Sequence, residues 1–162
     1  MMAKAPSLAE IESFLYDEAD CLDRVDLEAW MNLYTEDGVY WMPQSPDQTD
    51  PATQISLFHD GRLLMDVRRL NFGCSLAPSM AYPVRASHII GNIRIRDWDA
   101  AAGTGQVTSN FHVALLSRNE QTIYAGRYTH DLVRDGDGLK IHHKRVDLIT
   151  CDTPLKSLVI YL

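Results

Sequence analysis

Histidines and carboxylates are the residues of this 162-residue chain whose types and spacing could do chemistry. His88 and His112 stand in two neighbouring stretches of alternating apolar and polar residues, Arg85–Trp98 and Gln106–Ser117. Paired as a hairpin, these stretches set His112 near Asn92 and one diagonal step from His88, all on the more polar face. Imidazole titrates near neutrality, so the pair suits general acid/base work. The same arrangement suits hydrogen-bonded surface or interface histidines, because titratable groups also cluster in structural networks. Tyr16 and Asp20 lie one helical turn apart in the first amphipathic stretch. They either face a pocket under the sheet, where burial would raise a carboxyl pKa, or form the solvated side of the helix.

Other chemistries find no footing. His142 and His143 are adjacent, so a strand points them to opposite faces, and no His-x-His, His-x-x-x-His or Cys-x-His spacing exists to converge on a metal. Cys21, Cys74 and Cys151 are odd in number and far apart, which suggests neither a disulfide framework nor a zinc or iron–sulfur site and points to a reducing cytoplasm. Gly103-Thr104-Gly105 lacks the third glycine of a dinucleotide loop, and no Gly-x-Ser-x-Gly elbow occurs. A net charge of −7 argues against nucleic acid. The short basic run Lys140–Arg145 reads as a solvated or interface face of a strand. No signal core or membrane-length apolar run is present.

The elements that must position these residues follow from periodicity. Ser7-Leu8-Ala9-Glu10 is a capping box, and Ile11, Leu15, Ala19 and Leu22 recur at helical spacing to about Asp23. Asp26 caps a second helix with Leu27, Trp30, Met31 and Tyr34 as its apolar stripe, ended by Asp37-Gly38. Val39–Met42 is a strand closed by Pro43. Gln44–Thr53 is a loop, and Leu57–Leu70 a helix with Leu63, Leu64, Val67 and Leu70 on one face. Residues 71–83 form a second loop. Four strands follow, over Arg85–Trp98, Gln106–Ser117, Gln121–Arg134 and Leu139–Thr150. Asp135–Gly138 is a hairpin turn, and a shift of apolar phase marks a bulge near His143–Arg145. Three helices ahead of a curved antiparallel meander make one α+β domain over residues 1–162.

Several segments, in order along nearly the whole chain, resemble the small (β) subunit of bacterial aromatic-ring-hydroxylating dioxygenases. They are Phe14–Ala19 with Leu22-Asp23, Trp30 with Tyr34–Asp37, Tyr40-Trp41-Met42-Pro43, and Gln54–Leu57. Arg85–His88 with Asn92, Gly126-Arg127-Tyr128, Lys144–Ile149 and Leu158–Leu162 complete the set. Phe58-His59-Asp60-Gly61-Arg62 departs from the acidic stretch usual there, and Tyr40–Pro43 is closest to members acting on benzoate-like acids. The resemblance implies a cystatin-like, nuclear-transport-factor-like cone, a curved sheet wrapped by three helices. It also implies a β trimer capping a trimer of catalytic α subunits, with the Rieske cluster and mononuclear iron in the α chain and no cofactor in this one.

On this reading the chain is a non-catalytic structural subunit. Trp41, Arg85, His88, Arg145 and Tyr161 are then its interface candidates, together with the apolar tail Val159–Leu162. The competing reading is a stand-alone dehydratase or isomerase of the same superfamily. His88 and His112 would be its acid/base pair, with Tyr16, Asp20 or Tyr40 orienting substrate in the cone. An open polar cavity with converging histidines favours the enzyme, and a filled cone favours the subunit.

Overall fold

A computed structural model describes residues 4–72 and 82–162; Cys74 and most of the predicted loop over 71–83 lie outside them. Helix α1 spans Leu8–Asp23 and begins at the expected capping box. The Ser7 hydroxyl accepts the Glu10 N–H at 3.2 Å, and the Glu10 carboxylate accepts the Ser7 N–H at 2.8 Å. Its buried face holds Ile11, Leu15, Ala19 and Leu22, and also Glu18.

Asp26 caps α2, Leu27–Met31, but this helix stops before Tyr34. Strand β1 runs Tyr34–Pro43, straight through the Asp37-Gly38 expected to end the helix. Pairing wins over local turn propensity here, since β1 is hydrogen-bonded on both edges. The helix expected over 57–70 divides into strand β2, Ser56–Gly61, and helix α3, Arg62–Phe72. In β2 Phe58 and Asp60 point inward and pair with Met42 and Tyr40 of β1. The apolar residues of α3 keep helical spacing but face outward: Leu63, Leu64, Val67 and Leu70 are exposed, and Met65 is the buried one.

Strands β3 (Arg85–Asp99), β4 (Thr104–Ser117), β5 (Glu120–Asp135) and β6 (Gly138–Leu148) form the expected meander. The β4–β5 turn places Arg118 and Asn119 at φ 52° and 61°, the left-handed pair of a tight hairpin, and Gly136 has φ 59° in the β5–β6 turn. The order is β2-β1-β6-β5-β4-β3, and β1 runs parallel to β6, so the sheet is not wholly antiparallel. Parallel neighbours leave no turn signal in the chain, which hid this pairing.

Two of the register shifts, one in β3 and one in β6, reset the faces of the candidate residues. The register of β3 shifts between Gly91 and Arg94, with Asn92 at φ 54°. Ala86, His88 and Ile90 face inward before it, and Ile93 and Ile95 after it. The expectation that His88 lies on the more polar face with His112 is therefore wrong, since before the bulge the even positions face inward. On β6 the extra residue is His142, just ahead of the expected position, and Lys144 thereby joins Ile141, Val146 and Leu148 on the inner face. Helices α1 and α2 cover that face, and Ile160, Tyr161 and Leu162 are packed inside with them.

Candidate functional site

The densest polar chemistry lies inside the cone, on residues the apolar pattern conceals. Glu18 falls seven residues after Ile11 on the buried face of α1 and is 1% exposed. Its Oε1 accepts the Lys144 ammonium at 2.8 Å and the Trp30 indole N–H at 3.2 Å. Its Oε2 accepts the His130 Nε2–H at 2.9 Å, which fixes that tautomer because an ionised carboxylate can only accept. Lys144 also donates to the Leu162 main-chain oxygen at 3.2 Å and sits 4.1 Å from the Tyr128 ring centroid. The Tyr40 hydroxyl bonds both the Leu162 oxygen and the Leu162 N–H, each at 3.2 Å. Tyr161 stacks on Trp30 at 4.4 Å and donates to Asp60 at 2.8 Å, where Arg68 also binds.

Burial pushes the Glu18 carboxyl up, but the Lys144 and His130 charges outweigh it and hold the group ionised, below the ordinary carboxylate range. Burial lowers Lys144 and His130 against the pull of Glu18. This network fastens the tail to the sheet and to α1.

The predicted acid/base pair does not assemble. His88 pairs in register with Val113, and His112 with Ile89, so the two rings lie on opposite faces of the sheet. The β3 bulge is the cause: it sends His88 inward while His112 stays exposed. His88 meets Asp23 instead, its Nδ1 2.6 Å from the Asp23 carboxylate, which also accepts the His88 backbone N–H. Burial lowers the His88 pKa, and its Nε2 is buried with no hydrogen-bond partner among the described residues. Tyr16 and Asp20 point to solvent, Asp20 in an ion pair with Arg24 at 2.8 Å. Tyr40 lies in the core against the tail. None of the orienting groups of the enzyme reading therefore joins His88 and His112.

Of the interface candidates, Arg85 is exposed in the single chain. Arg145 lies over the Trp41 ring at 4.6 Å and donates to the Gln48 carbonyl at 2.7 Å, tying down the 44–55 loop. Trp41, His88 and Tyr161 have buried side chains. The solvated or interface face expected for Lys140–Arg145 does not hold at Lys144, which is 1% exposed. A half-open cleft of about 250 Å³ lies where α2 and α3 meet the tail, lined by Leu27, Phe58, Arg68, Phe72, Leu158 and Ile160. His88 and His112 do not line it. Among the described residues no three His, Cys, Asp or Glu side chains converge as a metal set. No described helix is long and apolar enough to cross a membrane.

Known proteins share both the sequence and this architecture. The small oxygenase component of the p-cumate 2,3-dioxygenase system of Pseudomonas putida is 32% identical over 140 residues, covering 85% of this chain and 76% of that protein. The β subunit of benzoate 1,2-dioxygenase of Acinetobacter baylyi is 28% identical, covering 88% and 86%. The crystal structure of the benzoate 1,2-dioxygenase β subunit from Burkholderia mallei superposes with a TM-score of 0.74 at 29% identity, covering 90% and 92%. The family described as the ring hydroxylating beta subunit matches residues 17–154, and the chain belongs to that family.

Proposed function

We propose that this chain is the non-catalytic structural β subunit of an aromatic-ring-hydroxylating dioxygenase, working as a single domain. It assembles and stabilises a catalytic α subunit that holds the Rieske cluster and the mononuclear iron. Three copies cap three α subunits in a cytoplasmic α3β3 complex. The observation that carries the reading is the filled cone. Where a dehydratase or isomerase needs an open polar pocket, Leu162, Tyr161 and Ile160 occupy the interior, Glu18 is paired with Lys144, and Lys144 donates to the Leu162 main-chain oxygen. The named relatives belong to systems for p-cumate and benzoate, which makes aromatic carboxylates the first substrates to offer the assembled complex.

The test is co-expression with a dioxygenase α subunit. The expected result is one hetero-oligomer with a Rieske iron–sulfur spectrum that is lost from the β fraction alone. A chain that elutes without α and dehydrates or isomerises a cyclic ketone would overturn the reading.

A further inference from the structure

Three isoleucines stand on the outer face of the sheet with most of their surface in solvent: Ile89 at 70%, Ile123 at 59% and Ile149 at 75%. Strand register brings them together. Ile89 pairs with His112, His112 with Ala125, and the Ile149 N–H, just past β6, bonds the Ala125 carbonyl at 3.0 Å. In the adjacent row Ser87 pairs with Ala114 and Ala114 with Ile123. The isoleucines thus lie over β3, β5 and the residue just past β6, with His112 and Ala114 of β4 between them. Three arginines rim them, Arg85, Arg94 and Arg127, which share the outer face and are all exposed; Asp147, in register with Arg127, is paired with Arg145.

The complementary surface is on the same chain. Helix α1, LAEIESFLYDEADCLD, has no basic residue. Of its carboxylates Glu18 is buried, Asp23 is bound to His88, Asp20 pairs with Arg24 and Glu10 with Arg134, which leaves Glu12 and Asp17. Tyr16, half exposed, projects from it with Glu12 one turn before and Asp17 beside it. Two copies of the sheet face meeting each other would set arginine against arginine, a repulsive contact. One sheet face meeting the α1 of a second copy pairs opposite charges around an aromatic anchor.

We propose that the outer face of β3–β5 docks helix α1 of a second copy of this chain, with Tyr16 among Ile89, Ile123 and Ile149, and Glu12 and Asp17 on the arginine rim. Such a contact joins different patches on the two partners and closes into a ring when its rotation is one-third of a turn. The inference rests on the β trimer proposed above and names the surfaces that form it.

Light-scattering mass of the full chain, without α subunit, tests it. The wild type is expected to run as three chains. Ile89→Asp with Ile123→Asp damages the sheet patch, and Tyr16→Ala with Asp17→Lys damages the helix patch; each variant is expected to run as a monomer. Mixing the two leaves one intact contact, so a two-chain species is expected. A helix variant that still trimerises while the sheet variant does not would overturn the proposal in favour of sheet-to-sheet contact. So would two trimeric variants, or a monomeric wild type at tens of micromolar, within the usual affinity range of such contacts. Should the aspartates unfold the sheet, Arg94→Glu with Arg127→Glu alters no packed side chain. It is expected to weaken the trimer at least about tenfold, and an unchanged trimer overturns the proposal. A chain that fails here yet still co-purifies with α loses this contact alone, not its role as a β subunit.

Discussion

Lys144 and Glu18 carry opposite charges into a space where neither can be hydrated, so each depends on the other. Lys144→Met leaves Glu18 buried without its main counter-charge and is expected to cost about 3–5 kcal/mol in urea unfolding. Glu18→Gln with Lys144→Met removes both charges and is expected to recover most of that loss. The same cluster makes the fold acid-sensitive. Burial keeps folded His130 below its ordinary 6.5, so between that value and its folded pKa the unfolded chain binds the extra proton. Stability therefore falls as pH drops below about 6.5, and falls further below 4.5 as Glu18, lowered in the fold, loses its advantage. His130→Gln is expected to flatten the upper part of that decline, read from urea midpoints across a pH series, and to leave the part owed to His88. Neither charge was legible as buried. Glu18 does sit in the Ile11–Leu15–Leu22 face and Lys144 alternates with Val146 and Leu148, but a lone charge in an apolar phase shows no partner.

Strands are where local pattern and pairing compete. Gly126 lies between β4 and β6, where a Cβ would stand 2.0 Å from the Asp147 carbonyl oxygen, a backbone atom with nowhere to move. Gly126→Ala is expected to force β5 and β6 apart and to lower stability by about 3 kcal/mol in chemical denaturation. Helix α1 and the four-strand meander were legible because capping residues, turns and alternation are local. The division of 56–72 into β2 and α3 was not, because Phe58 and Asp60 are drawn into the sheet by Met42 and Tyr40 of a distant strand. The face of His88 depended likewise on one residue, Asn92, whose left-handed backbone shifts the register.

At the scale of the whole molecule, the tail closes the cone. Ile160, Tyr161 and Leu162 are each 4% exposed or less, and burial of large side chains contributes about 1.5–3 kcal/mol apiece. Deletion of residues 158–162 removes that packing and strips Lys144 and Tyr40 of an acceptor. The expected outcome is a broadened, much lower calorimetric transition and strong binding of a hydrophobic dye. A shortened chain with the native transition would show that the tail does not hold the interior. Such stability matters to a subunit whose proposed work is to hold other chains in place.

The sequence by itself determined the α+β class, the capped first helix, the hairpin order of the last four strands and the family, because all of these reside in short-range pattern or in motif order. Only the tertiary structure decided which polar groups meet. It parted His88 from His112, joined Glu18 to Lys144 across 126 residues, and turned an apolar tail expected at an interface into the filling of the cone. The physical reason is that a one-residue bulge inverts a strand's faces, and a buried charge is tolerated only beside a partner that the fold alone can bring to it.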